Sequence, residues 1–230
     1  MSFDLRSQMA HTRSSLLLVY VPVLFFVAAI GIIGSSTKVT IAYLTRDPVQ
    51  SLGAPFYIGF ASNVGILFWC AAAVVCLFTA AVLRRTSGRS EWSYFFTFAG
   101  ILTAILLLDD FFLIHDEIVP NYLFPKKGWL HLNEKVVLAV YALIAMRFFW
   151  NCRWLILRKT DWLLLAVAMG FLALSVISER SFTKAVIPSK ELRFLAEDGF
   201  KLMGIVGWFH YFARTALAVV TRKGAADSTE

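Results

Sequence analysis

The chain has 230 residues, of which 59% are hydrophobic and only 16% charged, whereas about a quarter of a soluble domain is charged. Mean hydropathy is +0.70, and the charges lie between long uncharged runs, a pattern that excludes an ordinary soluble domain and points to a bilayer-embedded fold. The net charge of +7 does not carry a nucleic-acid reading, because there is no basic–aromatic repeat or recognisable module and spans collect Lys and Arg at their cytoplasmic ends.

The first apolar run, Leu16 to Ile33, follows Arg13 and ends at Ser35-Ser36. It is long for the apolar part of a signal peptide and has no clear small-residue cleavage site, so a retained helix is expected. Ser51 to Leu83 is free of charge. A helix is expected there from about Phe56, just after Pro55, to Arg84-Arg85. The third span is read from Trp92 to about Ile114, the fourth from Glu134 to Leu155, the fifth from Trp162 to Ser178 and the sixth from Asp198 to Val220. The expected fold is therefore all-α: a polytopic integral membrane bundle of about six transmembrane helices. One transmembrane domain covers 1–230, with a short disordered tail over about 223–230.

The tight basic clusters Arg84-Arg85-Arg89 and Arg153-Arg158-Lys159 hug span ends, where basic residues weigh most on orientation. They predict a multi-pass protein of the inner or plasma membrane, with both termini cytoplasmic. Cys70, Cys76 and Cys152 form no CxxC pair and read as packing residues. No Walker loop, GxSxG, HExxH or GxGxxG is present. Gly199, Gly204 and Gly207 in the sixth span read as points of close helix approach.

On this topology most acidic residues fall outside, and many sit at the outer ends of spans three to six, where bundle packing brings them together. The densest stretch runs Asp109-Asp110-Phe-Phe-Leu-Ile-His115-Asp116-Glu117. Read as one continuous helix, it stacks Asp109 over Asp116 and Asp110 over Glu117. Such crowding demands raised pKa values or a cation, and acids this close to an apolar span are rarely kept without use. Asp109 and Asp110 are the deepest. His131 and Glu134 are three apart on one helical face, a spacing that grips a metal in carboxylate-bridged di-iron bundles. Glu197 and Lys201 are four apart, with Asp198 between them, an arrangement that favours an ion pair.

The candidate site so assembled has Asp109, Asp110 and His115 as catalytic residues. Its candidate metal ligands are Asp109, Asp110, His115, Asp116, His131, Glu134, Glu197 and Asp198. Carboxylates with one or two imidazoles suit a divalent transition metal such as Fe, Mn or Zn. The competing reading makes the same acids interfacial salt-bridge partners of nearby Lys and Arg. Glu117 and Glu191 read as solvated. His210, near the middle of span six, reads either as a functional ionisable group or as a neutral imidazole bonded to Asn63, Ser175 or Tyr141.

Three functions follow. One is a metal-dependent membrane enzyme, hydrolytic or oxidative, that acts on a lipid-like substrate entering between helices. Another is a non-catalytic structural or assembly subunit, packed against partner membrane subunits or other copies of itself. A cation or proton pathway is the third, with His210 as relay. The lipid bilayer is the expected surroundings in each.

Overall fold

The computed structural model describes residues 5–37, 41–45, 48–55, 57–88, 90–124, 134–178 and 190–227. They form α1 (Leu5–Ser36), α2 (Ile41–Thr45), α3 (Pro48–Ser51), α4 (Phe60–Ser87), α5 (Glu91–Phe112), a π-helical segment (Ile114–Leu123), α6 (Glu134–Lys159), α7 (Trp162–Ser178) and α8 (Lys190–Asp227). No strand occurs among the described residues. Four helices are long and apolar enough to cross a membrane: α4, α5, α6 and α8. Two further apolar stretches, Tyr20–Ser36 of α1 and Trp162–Ser178, are helical but shorter, so four candidate spans stand among the described residues where about six are expected.

The chain falls into two compact units, Met1–Ile58 and Gly59–Glu230. In the first, α1 carries Pro22 inside its length, and α2 packs against it. The second holds the candidate site.

Several boundaries differ from expectation. α4 begins at Phe60 rather than near Phe56, because Gly59 is left-handed (φ 70°) and starts the helix there. The sixth helix begins at Lys190, inside what reads as a loop, and runs on to Asp227, past Lys223. The largest difference lies at the end of α5. The helix stops at Phe112, and Leu113 takes a left-handed conformation (φ 53°). The next ten residues wind as a π-helix containing Pro120. The stretch from Asp109 to Glu117 is therefore not one helix, and the stacking of Asp109 on Asp116 does not occur.

Pair positions give the topology of the second unit. Leu77 meets Gly100 and Trp69 meets Asp110, so position numbers rise on α4 as they fall on α5, and the two helices are antiparallel. Ala168 lies against Gly207 and Leu172 against Gly204, which makes α7 and α8 antiparallel. Gly65 lies against Ile205 and, one turn on, Trp69 faces Trp208, so position numbers rise together and α4 and α8 are parallel. Asp109–Tyr141 at one end and Glu91–Lys159 at the other set α6 antiparallel to α5. The five helices thus alternate in direction. Everything near the ends of α5 and α7 and the starts of α4, α6 and α8 gathers at one end.

The reversal between α4 and α5 takes three residues. Gly88 supplies a positive φ that a side chain resists. Ser90 and Ser93 then exchange hydrogen bonds in a capping box that starts α5. Between the ends the unit is filled by aromatic rings. Phe95, Phe96, Phe148, Trp208, Tyr211 and Phe212 are fully buried, with Phe98 stacked on Phe148 at 5.0 Å between ring centres. Where helices meet closest, glycine makes room. A Cβ on Gly204 would stand 2.9 Å from the Leu172 backbone nitrogen, and one on Gly207 3.0 Å from the Ala168 Cβ. Both match the expected role. A Cβ on Gly199 would meet nothing within 4 Å.

Candidate functional site

The left-handed turn at Leu113 builds the site. Six residues along an α-helix is a rotation of about 600°, which would leave Asp109 and His115 on different faces. With the helix ended, the Leu113 N–H caps back onto the Asp109 carbonyl, and the chain folds over. His115 comes to rest on the carboxylate it follows. Its Nδ1 pairs with Asp109 Oδ2 in a short contact, and its backbone N–H donates to Asp109 Oδ1 at 3.0 Å. From α6, the Tyr141 hydroxyl also donates to Asp109 Oδ1, at 3.0 Å. Asp109 is buried and is held by donors from three directions, as a buried carboxylate must be.

The other imidazole nitrogen, Nε2, lies 3.2 Å from Asp116 Oδ1. Burial alone would lower the His115 pKa. The Asp109 hydrogen bond and charge, with Asp116 behind them, outweigh burial and the opposing Lys201 charge, and hold it above its ordinary value of 6.5. The Asp109 pairing therefore favours the protonated form of the imidazole.

Asp110 serves a second pair. Lys201 of α8 reaches its Oδ1 at 2.5 Å, and the Trp69 indole N–H donates to its Oδ2 at 3.2 Å. The ammonium places positive charge beside the crowded acids. Below it, the Trp208 indole N–H donates to Thr103 Oγ1 at 3.0 Å, and Thr103 donates to the Ala99 carbonyl at 2.7 Å.

These groups open onto a cavity of about 420 Å³. Asp109, Asp110, His115, Asp116, Glu197 and Lys201 form its polar end. Leu102, Leu106, Leu138, Met169, Leu172 and Trp208 line its apolar depth. Its volume falls within the range of small-molecule sites.

The structure thus brings Asp109, Asp110, His115, Asp116 and Glu197 together. Asp198 is exposed on α8 and does not line the cavity. Glu134 opens α6, but its side chain, like the whole of His131 and the Glu191 side chain, lies outside the described residues. Glu117 is exposed and accepts from Asn121 at 2.8 Å. His210 is exposed on α8, away from the cavity, and Tyr141 is engaged by Asp109 rather than by His210. Among the described residues, no three His, Cys, Asp or Glu side chains converge as a metal-binding group. Tyr141, Trp69 and the cross-helix role of Lys201 were not foreseen. The one available signal was that Tyr141 lies two helical turns along α6 from Glu134, on the face expected to meet the acids.

At the opposite end, Arg214 pairs with Asp161 at 2.5 Å and Lys159 with Glu91 at 3.6 Å. Both pairs are exposed, so each contributes at most about 1 kcal/mol.

A family model described as a domain of unknown function (DUF8692) matches residues 16–215. No curated protein and no solved structure matches the chain.

Proposed function

We propose that this chain, which belongs to the DUF8692 family, is a six-span membrane enzyme acting on the polar end of a lipid-like substrate by acid–base chemistry. Support for the membrane setting comes from the four long apolar helices and the two shorter runs. Large side chains such as Leu67, Phe78, Leu143, Trp150 and Leu217 also point outward, more apolar surface than water tolerates on a monomer. At about 25 Å for its 17 residues, α7 spans a locally thinned bilayer.

The observation that carries the proposal is the Asp109–His115 pair at the mouth of a cavity with apolar walls. An imidazole oriented by a buried carboxylate is a recurring acid–base device. Here Asp109 and Tyr141 position it, and His115 and Asp116 do the work. In a hydrolytic step, Asp116 takes a proton from attacking water while the new bond to the substrate forms. His115 Nε2 gives its proton to the leaving oxygen as the scissile bond breaks. The 3.2 Å contact between His115 and Asp116 then returns the proton and resets the pair. Lys201 offsets negative charge that develops on the substrate. A metal-dependent version has weaker support, since Lys201 already neutralises Asp110.

A proton pathway has less support. Below the cavity the unit is packed with buried aromatic rings, and His210 lies away from the cluster.

The test is turnover. Purified protein in vesicles of total polar lipid is compared with H115Q, and products are followed by mass spectrometry. We expect a product that falls about a hundredfold or more in the variant while the melting transition is retained. A folded variant indistinguishable from the parent would make the cluster an ionic clasp, as in a structural subunit.

A further inference from the structure

The end of the second unit opposite the acidic cavity has a larger cavity of about 1140 Å³. It lies where α4 ends, α5 begins and α6 ends. Arg84, Arg158 and Lys159 bring positive charge to its wall, with Glu91 as the acid among them. Ser90 and Asn151 add polar groups, and Tyr94, Trp154 and Leu155 add an aromatic and apolar wall. The cationic groups are partly ordered before any ligand arrives. Arg84 donates to Thr97 Oγ1 at 3.0 Å, and the Arg158 guanidinium lies over the Trp154 ring at 4.8 Å.

We infer that this cavity holds the headgroup of an anionic phospholipid, its phosphate against Arg84, Arg158 and Lys159 and its glycerol and upper chains along Tyr94, Trp154 and Leu155. Guanidinium groups match phosphate oxygens in paired geometry, and basic pockets between spans at the membrane surface bind such headgroups. A site for soluble phosphate gains nothing from an apolar wall. All three basic residues stand at the termini of helices long and apolar enough to cross a membrane, which is the level of the headgroup layer. Glu91 is held by Lys159 and so acts as a counter-charge that the phosphate displaces. The inference is independent of the chemistry assigned to the acidic end.

The full-length protein is reconstituted in nanodiscs of mixed phosphatidylglycerol and phosphatidylcholine, and retained lipid is counted by native mass spectrometry. We expect selective retention of phosphatidylglycerol. Removing two cations in R84Q/R158Q weakens it on the order of thirtyfold. E91Q, which removes the opposing acid, strengthens retention, a direction that misfolding cannot produce. Equal retention of the two lipids would overturn the inference, as would no change in either variant. Displacement of the lipid by millimolar inorganic phosphate would assign the cavity to a soluble anion instead.

Discussion

Asp109 accepts from the Tyr141 hydroxyl and the His115 backbone while its second oxygen holds the His115 ring. A group with that many partners fixes both the ring's orientation and its proton. Because the folded pKa of His115 is raised, the pair's contribution to stability is complete below the ordinary histidine value and is lost as pH rises through the folded value. As a proton donor, His115 should give a pH–rate profile that falls on the alkaline side. In D109N that limb should move to lower pH, because a neutral amide no longer favours the imidazolium. NMR titration of the His115 ring gives the same shift without a substrate, and an unmoved midpoint in D109N would rule out this pairing. The depth of Asp109, which is buried, was legible in the sequence, since no charge precedes it back to Ser93. Its partner was not. Helical periodicity forbids a contact six residues away, and nothing in the spacing announces a left-handed residue at a leucine.

Leu113 is the hinge of the element scale. A left-handed conformation costs an L-residue roughly 1–2 kcal/mol, and here the return is the fold-back that seats His115. Leu113→Gly should keep stability within about 1 kcal/mol and retain activity, since glycine takes that conformation freely. Leu113→Pro, with φ held near −65°, should unseat His115 and abolish turnover while the remaining helices still assemble. Circular dichroism and the activity assay together distinguish these outcomes. The α7–α8 seam offers a second test. Gly204→Val pushes a side chain into the Leu172 backbone and should cost about 1–3 kcal/mol in denaturant titration. Helix existence and the glycine seam were readable from apolar runs and small-residue spacing. Lys201 was read with Glu197 because local i, i+4 pairing is all that a sequence offers. Its contact with Asp110, 91 residues away, depends on how α5 and α8 pack.

At the scale of the molecule, charge is sorted along the bundle axis. Asp109 lies 18 residues from Glu91 in α5, about 27 Å along the helix, close to the thickness of a bilayer's hydrocarbon core. On the membrane setting proposed above, the acidic site and the basic cavity face opposite membrane surfaces. With the basic end cytoplasmic, an impermeant maleimide should label Asn121→Cys from outside intact cells. In the same background lacking Cys70, Cys76 and Cys152, it should label Thr86→Cys only after permeabilisation. The reverse pattern would invert the orientation, and labelling of both from one side would remove the spanning topology.

The most direct measurement is a double-mutant comparison of lipid turnover by D109N, H115Q and D109N/H115Q in the same vesicles. Residues that act as one device do not add their losses. We predict that the double variant is no slower than the poorer single one. Losses that multiply, or a double variant as active as the parent protein, would contradict the assignment of Asp109 and His115 to one acid–base pair.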